Sequence, residues 1–184
     1  MEAVLPGENE DDRAMARLAA GDSAALADLF ERHRGPLFGF LLRLVGDRCL
    51  AEDLLGETFL RVYRGRRNYR AGRGFVPWLL TIARRLAIGE LRKHRVRALF
   101  LQHVQAPPPP DTGAWDGEQE ALQASVQAAL RALPHEQRLA LVLREYQELS
   151  YREIAQVLGC SEQAARARTY RARLALRDLL KEVV

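Results

Sequence analysis

The sequence predicts an all-α protein of two small helical domains, joined by a proline-rich acidic linker, with a helix-turn-helix in the second domain. Apolar residues recur at helical spacing through most of the 184 residues, and no stretch has the alternation typical of a strand. Four consecutive prolines at 107–110 indicate an extended linker, because polyproline cannot continue a helix. A capped turn before a basic helix indicates the helix-turn-helix.

The composition is ordinary for a soluble globular protein. The hydrophobic content is 48%, and no apolar run approaches the roughly 20 residues of a membrane span. The acidic N-terminus lacks the basic and apolar blocks of a signal peptide, so a cytoplasmic location is expected. Cys49 and Cys160 are too few for a disulfide framework or a zinc site and are predicted to be small buried residues. The net charge of +4 is unevenly distributed, which favours an anionic partner such as nucleic acid.

Charge and proline content divide the chain into four predicted parts. These are an acidic N-terminal tail (1–20), a first helical domain (21–98), a linker (99–120) and a second helical domain (121–184). The first long helix is expected to start at Asp22 or Ser23 and to end at Gly46, where Asp47 caps the next helix. His33 on that helix is interpreted as a boundary residue.

The first domain combines an acidic helix with a basic, aromatic segment. The pattern AEDLLGETFLRVY (51–63) has apolar residues at helical spacing and acids on the flanks. Gly56 inside it costs on the order of 1 kcal/mol relative to alanine, and either permits a close contact or weakens the turn. Arginines then alternate with Tyr69, Phe75 and Trp78. Cations neutralise phosphates and ring faces stack unpaired bases, so this segment suits a single nucleic-acid strand.

Two backbone predictions concern that basic segment. Glycine and arginine in 65–74 indicate a mobile loop. A helix is expected over Phe75–Lys93, and three arginines off its apolar stripe would be free to meet phosphates or bases: Arg84, Arg85 and Arg92.

The second domain is predicted to contain four helices. The first two cover Ala121–Leu133 and His135–Tyr146, and the second has Leu139, Val142, Leu143 and Tyr146 on one side. Ser150 and Glu153 form a capping-box pattern that starts the third helix at Tyr151. Ala155 and Gly159 fit the tight crossing of a helix-turn-helix, and Ser161 can cap the fourth helix.

That fourth helix would enter the major groove of DNA. Arg166 and Arg171 could reach guanine edges or phosphates, Arg168 could reach phosphates, and Tyr170 could reach a thymine methyl or the backbone. An open alternative is that the same shape occurs in helical proteins that bind no DNA, with arginines that only face water.

Two long motifs carry a family resemblance. AEDLLGETFLRVYRGRRNYRAGRGFVPWLLTIARRLAIGELRK is similar to region 2 of bacterial sigma factors, and ALPHEQRLALVLREYQELSYREIAQVLGCSEQAARARTYRARLAL is similar to their region 4. The order of the regions and the short linker resemble the extracytoplasmic-function class of the sigma-70 family. The resemblance covers residues 22–95 and 121–180.

The resemblance implies roles at matching positions. One set would dock on core RNA polymerase: Asp53, Leu54, Glu57 and Phe59. A second would hold the melted strand of the minus-ten promoter element: Tyr69, Arg70, Phe75, Trp78, Arg84 and Arg85. A third would read duplex DNA at the minus-thirty-five element: Arg166, Ala167, Arg168, Tyr170 and Arg171.

The resemblance also implies partners, and it has limits. Core RNA polymerase and promoter DNA, both duplex and melted, are the expected partners, and an anti-sigma factor is a candidate because many members of the class have one. Gly56 replaces the family's usual glutamine. At the start of the recognition helix, Gln163, Ala164, Ala165 and Ala167 replace glycine, threonine, valine and serine. Its promoter preference therefore cannot be copied from relatives.

Two other functions compete with this interpretation. A helix-turn-helix regulator could bind operators without polymerase, although such a protein has no need for a single-strand platform at residues 69–78. A nucleic-acid processing enzyme would need catalytic groups. The sequence has no phosphate-binding glycine motif, metal-ligand cluster or nucleophile near a histidine, so neither catalysis nor a cofactor or metal is expected.

Overall fold

A computed structural model describes residues 10–100 and 117–181, except for the side chains of 94–100 and 117–123. Within these residues the secondary structure is helical, without a strand, as the sequence predicts. The helices are α1 (Glu10–Ala19), α2 (Ala24–Val45), α3 (Arg48–Gly65), a 3-10 turn (Arg66–Asn68), α4 (Phe75–Phe100), α5 (Gly117–Ala132), α6 (His135–Glu145), α7 (Tyr151–Leu158) and α8 (Glu162–Lys181).

Helices α1 to α4 form an N-terminal lobe around an apolar core. Helix α2 packs on both α3 and α4, and the predicted helical spacing of apolar residues places one face of each helix inside. Phe40, Leu44 and Val62 are buried there. Burying a leucine or phenylalanine side chain contributes about 1.5–3 kcal/mol, so this core holds the three long helices in place.

Residues 10–19, which the sequence predicts to be part of an acidic tail, form the helix α1. Its residues Ala14, Met15 and Leu18 are buried against the rest of the lobe. They lie on one face of the helix, but the neighbouring acids hide the pattern in the sequence. Three acids stand in its first turn, where the helix dipole favours negative charge.

The predicted helix boundaries in this lobe are largely confirmed. Ser23 occupies the N-cap position of α2 without a side-chain hydrogen bond, and the preceding Asp22 Oδ1 accepts from the Ala24 amide at 3.0 Å. Gly46 ends α2 in the left-handed conformation, and the Asp47 carboxylate accepts from the Leu50 amide at 2.9 Å. Helix α4 continues to Phe100, beyond the predicted end at Lys93.

Helices α5 to α8 form a C-terminal lobe that contains the predicted helix-turn-helix. The capping box of Ser150 and Glu153 is present at the start of α7, and Gly159 ends α7 with a φ of 66°. Ser161 Oγ accepts from the Ala164 amide at 3.1 Å and so caps α8. Helix α5 begins at Gly117, inside the predicted linker, and linker residues 101–116 lie outside the described residues.

The exposure of several residues differs from the prediction or settles an alternative that the sequence leaves open. Cys49 is exposed at the start of α3, and Cys160 is half-buried in the turn between α7 and α8, where it packs against the core. Tyr146 is the C-cap residue of α6 and is 41% exposed, and its ring lies against the Arg43 guanidinium of the other lobe. Gly56 is exposed with open space around it, so it permits no close contact and only weakens the turn.

The two lobes contact each other through polar groups. At the C-terminus of α2, Gln127 donates to the Leu42 carbonyl at 3.0 Å and Arg131 donates to the Gly46 carbonyl at 2.6 Å. The Leu42 carbonyl also accepts from the Gly46 amide at 2.8 Å, so Gln127 adds a second bond there, whereas Arg131 donates to a carbonyl just beyond the end of α2. A Cβ at Gly46 would lie 2.4 Å from the Arg131 guanidinium, so glycine is required there for space as well as for its backbone.

Candidate nucleic-acid and partner interfaces

Three aromatic rings meet beside the loop that precedes α4. The ring centroids of Tyr69 and Trp78 are 5.1 Å apart, and Phe75 lies 6.1 Å from each. Phe75 is 1% exposed, whereas Tyr69 and Trp78 are half-buried. Phe75 therefore supports the other two rings from inside the lobe, and only Tyr69 and Trp78 offer surface to a nucleobase.

A cavity of about 250 Å³ opens at these two rings. It is lined by Asn68, Tyr69, Arg70, Arg73, Trp78 and Gln156. Aromatic walls, two guanidinium groups and two amides are the chemistry that stacks and hydrogen-bonds an unpaired base. The sequence predicts three of these residues, but it does not identify Asn68, Arg73 or Gln156. Gln156 belongs to the other lobe and reaches this cavity only through the tertiary structure.

A buried acid on α1 anchors this loop. The Asp12 carboxylate accepts a hydrogen bond from the Tyr69 hydroxyl and another from the Gly72 amide at 3.2 Å. Asp12 is 4% exposed. Burial raises the pKa of the Tyr69 phenol, and the hydrogen bond to Asp12 raises it further, so the hydroxyl keeps its proton at neutral pH. Nothing in the local sequence pattern links Asp12 to a loop 57 residues away.

The two adjacent arginines of α4 point to different places. Arg84 Nη2 lies 3.3 Å from Glu136 Oε1 in the other lobe, so the expectation that Arg84 is free of partners is wrong for this arrangement. Arg85 is exposed and lines a groove between α3 and α4 instead. The two side chains diverge because adjacent helix positions point about 100° apart. Neither arginine lines the cavity at Tyr69.

That groove between α3 and α4 carries the predicted polymerase surface. It has a volume of about 540 Å³, and its acids include Asp53, which is exposed, and Glu57, which pairs with Arg61 at 2.7 Å. Leu54 and Phe59 are buried at 4% and 5% exposure. These two residues hold α3 on the lobe, and the acids form its outer face.

Helix α8 presents an uneven row of cations. Tyr170 is 63% exposed, Arg171 is exposed, and Ala167 is half-buried between them and the lobe. Arg166 pairs with Glu162 at 2.8 Å. Arg168 pairs with Glu136 at 2.9 Å, so that one carboxylate binds an arginine from each lobe.

In the described part of the chain, no cluster of histidine, cysteine and acidic residues has the geometry to hold a metal ion. The described helices also include none with the length and apolar character to span a bilayer.

Comparison with known proteins gives the family. Sigma-70 region 2 matches residues 29–97, and Sigma-70, region 4 matches residues 123–176. The RNA polymerase sigma factor CarQ of Myxococcus xanthus is 38% identical, over 92% of this chain and 97% of that protein. The ECF RNA polymerase sigma factor SigE of Mycolicibacterium smegmatis is 37% identical, over 88% of this chain and 65% of that protein.

Solved structures share the fold. The sigma factor RpoE of Bartonella quintana, solved with the anti-sigma factor NepR, has a TM-score of 0.67 and 26% identity, covering 84% of this chain and 97% of that chain. CnrH, solved with the cytosolic domain of CnrY, has a TM-score of 0.74 and 23% identity, covering 95% and 99%. The chain belongs to the sigma-70 family of RNA polymerase sigma factors, in its extracytoplasmic-function class. Proteins of this family are not enzymes.

Proposed function

We propose that this chain directs core RNA polymerase to a specific set of promoters, reading duplex DNA with α8 and holding a separated strand at Tyr69 and Trp78. The observation that carries the proposal is the joint presence of a base-sized aromatic cavity and a helix-turn-helix in one chain. A regulator that acts without polymerase needs only the second of these. The family membership supports the same choice.

The minus-ten element is proposed to enter the cavity as a single unpaired base. Taking a base out of the stack costs a few kcal/mol, and stacking on an aromatic ring returns about 1–3 kcal/mol per base. Arg70 and Arg73 at the rim can neutralise the phosphates on either side. The sigma factor thus stabilises melted DNA by binding it, and needs no catalytic group of its own.

Two protein partners are proposed. Asp53 and Glu57 on the outer face of α3 would meet a basic, amphipathic surface of core polymerase, since charge complementarity fixes the orientation of such contacts. An anti-sigma factor is the second partner, supported by the solved complex of RpoE with NepR. Because the chain is proposed to bind promoter DNA on the bacterial chromosome, its proposed place of action is the cytoplasm.

Run-off transcription with purified core polymerase tests this function. Adding the chain to core and genomic fragments is expected to create discrete new start sites that core alone does not use. Tight, sequence-specific binding to duplex DNA without any new start site would contradict the proposal and favour an independent regulator.

A further inference from the structure

The loop at residues 69–74 contributes Tyr69, Arg70 and Arg73 to the lining of the aromatic cavity. Residues 69–74 follow the 3-10 turn without regular structure, and Gly72 and Gly74 adopt positive φ angles of 79° and 81°. Glycine gives a chain many alternative conformations, so something outside the loop must select one.

The Asp12 carboxylate selects one conformation of the loop by accepting two hydrogen bonds from it. One oxygen accepts from the Tyr69 hydroxyl at the start of the loop, and the other accepts from the Gly72 amide at its tip. The two loop groups are thereby held at a fixed separation. A carboxylate at 4% exposure is costly to desolvate and is tolerated only where hydrogen bonds compensate it.

Asp12 itself is held in place by its neighbour in sequence. Asp11 Oδ1 lies 2.5 Å from Arg32 Nη1, and Asp11 Oδ2 lies 3.0 Å from His33 Nε2, both on α2. Buried Met15 and Leu18 add an apolar attachment. Helix α1 is therefore fixed to α2 by one acid and bonded to the loop by the other.

We infer that Asp12 is a positioning residue for minus-ten recognition, acting through Tyr69 and Gly72 to set the cavity that receives the unpaired base. The inference rests on the proposed function of that cavity. Asp12 does not line the cavity at Tyr69 and acts without touching DNA there. It selects the loop conformation, and a binding-competent conformation that is less populated binds with proportionally lower affinity.

The test compares the same substitution at Asp12 and at an acid far from the loop. Holoenzymes with Asp12→Asn or Asp178→Asn are titrated with a labelled single-stranded oligonucleotide that carries the minus-ten sequence of a promoter found by run-off transcription. Asp178 is exposed on α8 and pairs with its neighbour Arg177, so it serves as the control. The amide is neutral and has one acceptor oxygen where the carboxylate has two, so Asp12→Asn replaces two charge-assisted hydrogen bonds to the loop with weaker neutral ones. We expect about ten-fold weaker binding for Asp12→Asn and a change below about two-fold for Asp178→Asn.

Two further measurements separate positioning from general damage. Binding to a duplex minus-thirty-five probe should stay unchanged in Asp12→Asn, whereas discrimination between the correct and a substituted minus-ten base should fall. Tyr69→Phe removes only the hydroxyl that Asp12 holds, and combined with Asp12→Ala it should cost less than the product of the two single effects.

The outcomes are distinct. Wild-type binding and base discrimination in Asp12→Asn would overturn the inference, and so would an equal loss in Asp178→Asn. If Asp12→Ala fails to fold, as judged by circular dichroism, Asp12→Asn and Tyr69→Phe still decide. A wild-type holoenzyme that shows no preference for any minus-ten sequence would overturn the proposed function instead.

Discussion

Arg171 differs from the other cations of α8 in its partners. Arg166 is bound to Glu162 and stacked 4.6 Å from the Tyr151 ring, and Arg168 is bound to Glu136. Arg171 is exposed and has no ion pair within the described residues. Exposed ion pairs are worth about 0–1 kcal/mol, so Arg166 can exchange its carboxylate for DNA at little cost. Arg171 needs no exchange at all.

Replacing Arg171 with alanine is expected to weaken binding to minus-thirty-five duplex DNA. A bidentate base contact would cost about 1–3 kcal/mol and relax the preference at one base pair, whereas a phosphate contact would weaken binding to all sequences equally. Titration of a promoter duplex and its single-base variants, by fluorescence anisotropy, distinguishes these. Arg177→Ala on the same helix is the control, because Arg177 is exposed and pairs only with its neighbour Asp178 among described residues. Unchanged affinity in Arg171→Ala would remove it from the DNA surface.

At the scale of elements, α3 uses one face to pack on the lobe and the opposite face to carry the acids of the proposed polymerase surface. Leu54 and Phe59 face inward, and the Phe59 ring packs 4.9 Å from that of Phe30 on α2. Asp53 and Glu57, four residues apart, share the outer groove with α4. The helix can therefore lose its acids without losing its packing.

Charge reversal at Asp53 and Glu57 should therefore abolish association with core polymerase while the lobe stays folded. A basic partner surface would meet two lysines, and like charges juxtaposed in an interface cost several kcal/mol. Co-purification with tagged core polymerase measures the effect. The control reverses Glu52 and Glu31, which are exposed acids outside the groove. Full retention of the Asp53→Lys, Glu57→Lys variant on core would contradict the docking assignment.

On the scale of the whole molecule, the buried apolar residues of the two lobes form one cluster, and the lobes also exchange hydrogen bonds and charges. Besides the donors from α5, Gln147 donates to the Pro36 carbonyl at 3.0 Å, and the Arg43 guanidinium lies 3.7 Å from the Tyr146 ring centroid. Arg84 and Glu136 add an ion pair. Polar contacts between lobes are individually weak, so relative motion of the lobes is expected.

Removing the α5 donors should shift the lobes toward separation. Arg131→Ala leaves the Gly46 carbonyl without its donor from α5, and the loss of about 1 kcal/mol corresponds to about a five-fold change in the equilibrium constant between the closed and separated arrangements of the lobes. Small-angle X-ray scattering would detect a larger radius of gyration, with helix content unchanged by circular dichroism. Arg177→Ala again serves as the control. An identical scattering curve for Arg131→Ala would show that this bond does not hold the lobes.

The fold was predictable from sequence where local chemistry decides it. The helix caps at Asp47, Ser150 and Gly159 involve hydrogen bonds within four residues, so the sequence alone identifies them. The bond from Tyr69 to Asp12 and the shared carboxylate of Glu136 join residues far apart in sequence. Phe59 and Phe75 were assigned to surfaces by their motifs, but side-chain burial depends on how helices pack, which spacing alone does not determine.

The two cysteines, which the sequence predicts to be buried, provide natural labelling sites for measuring the distance between the lobes. Cys49 is exposed at the start of α3, and Cys160 is half-buried in the turn before α8, so each lobe carries one thiol. Maleimide dyes on this natural pair would report energy transfer between the lobes without any added residue. Because Cys49 is the more exposed thiol, it is expected to react first, so that donor and acceptor take defined positions.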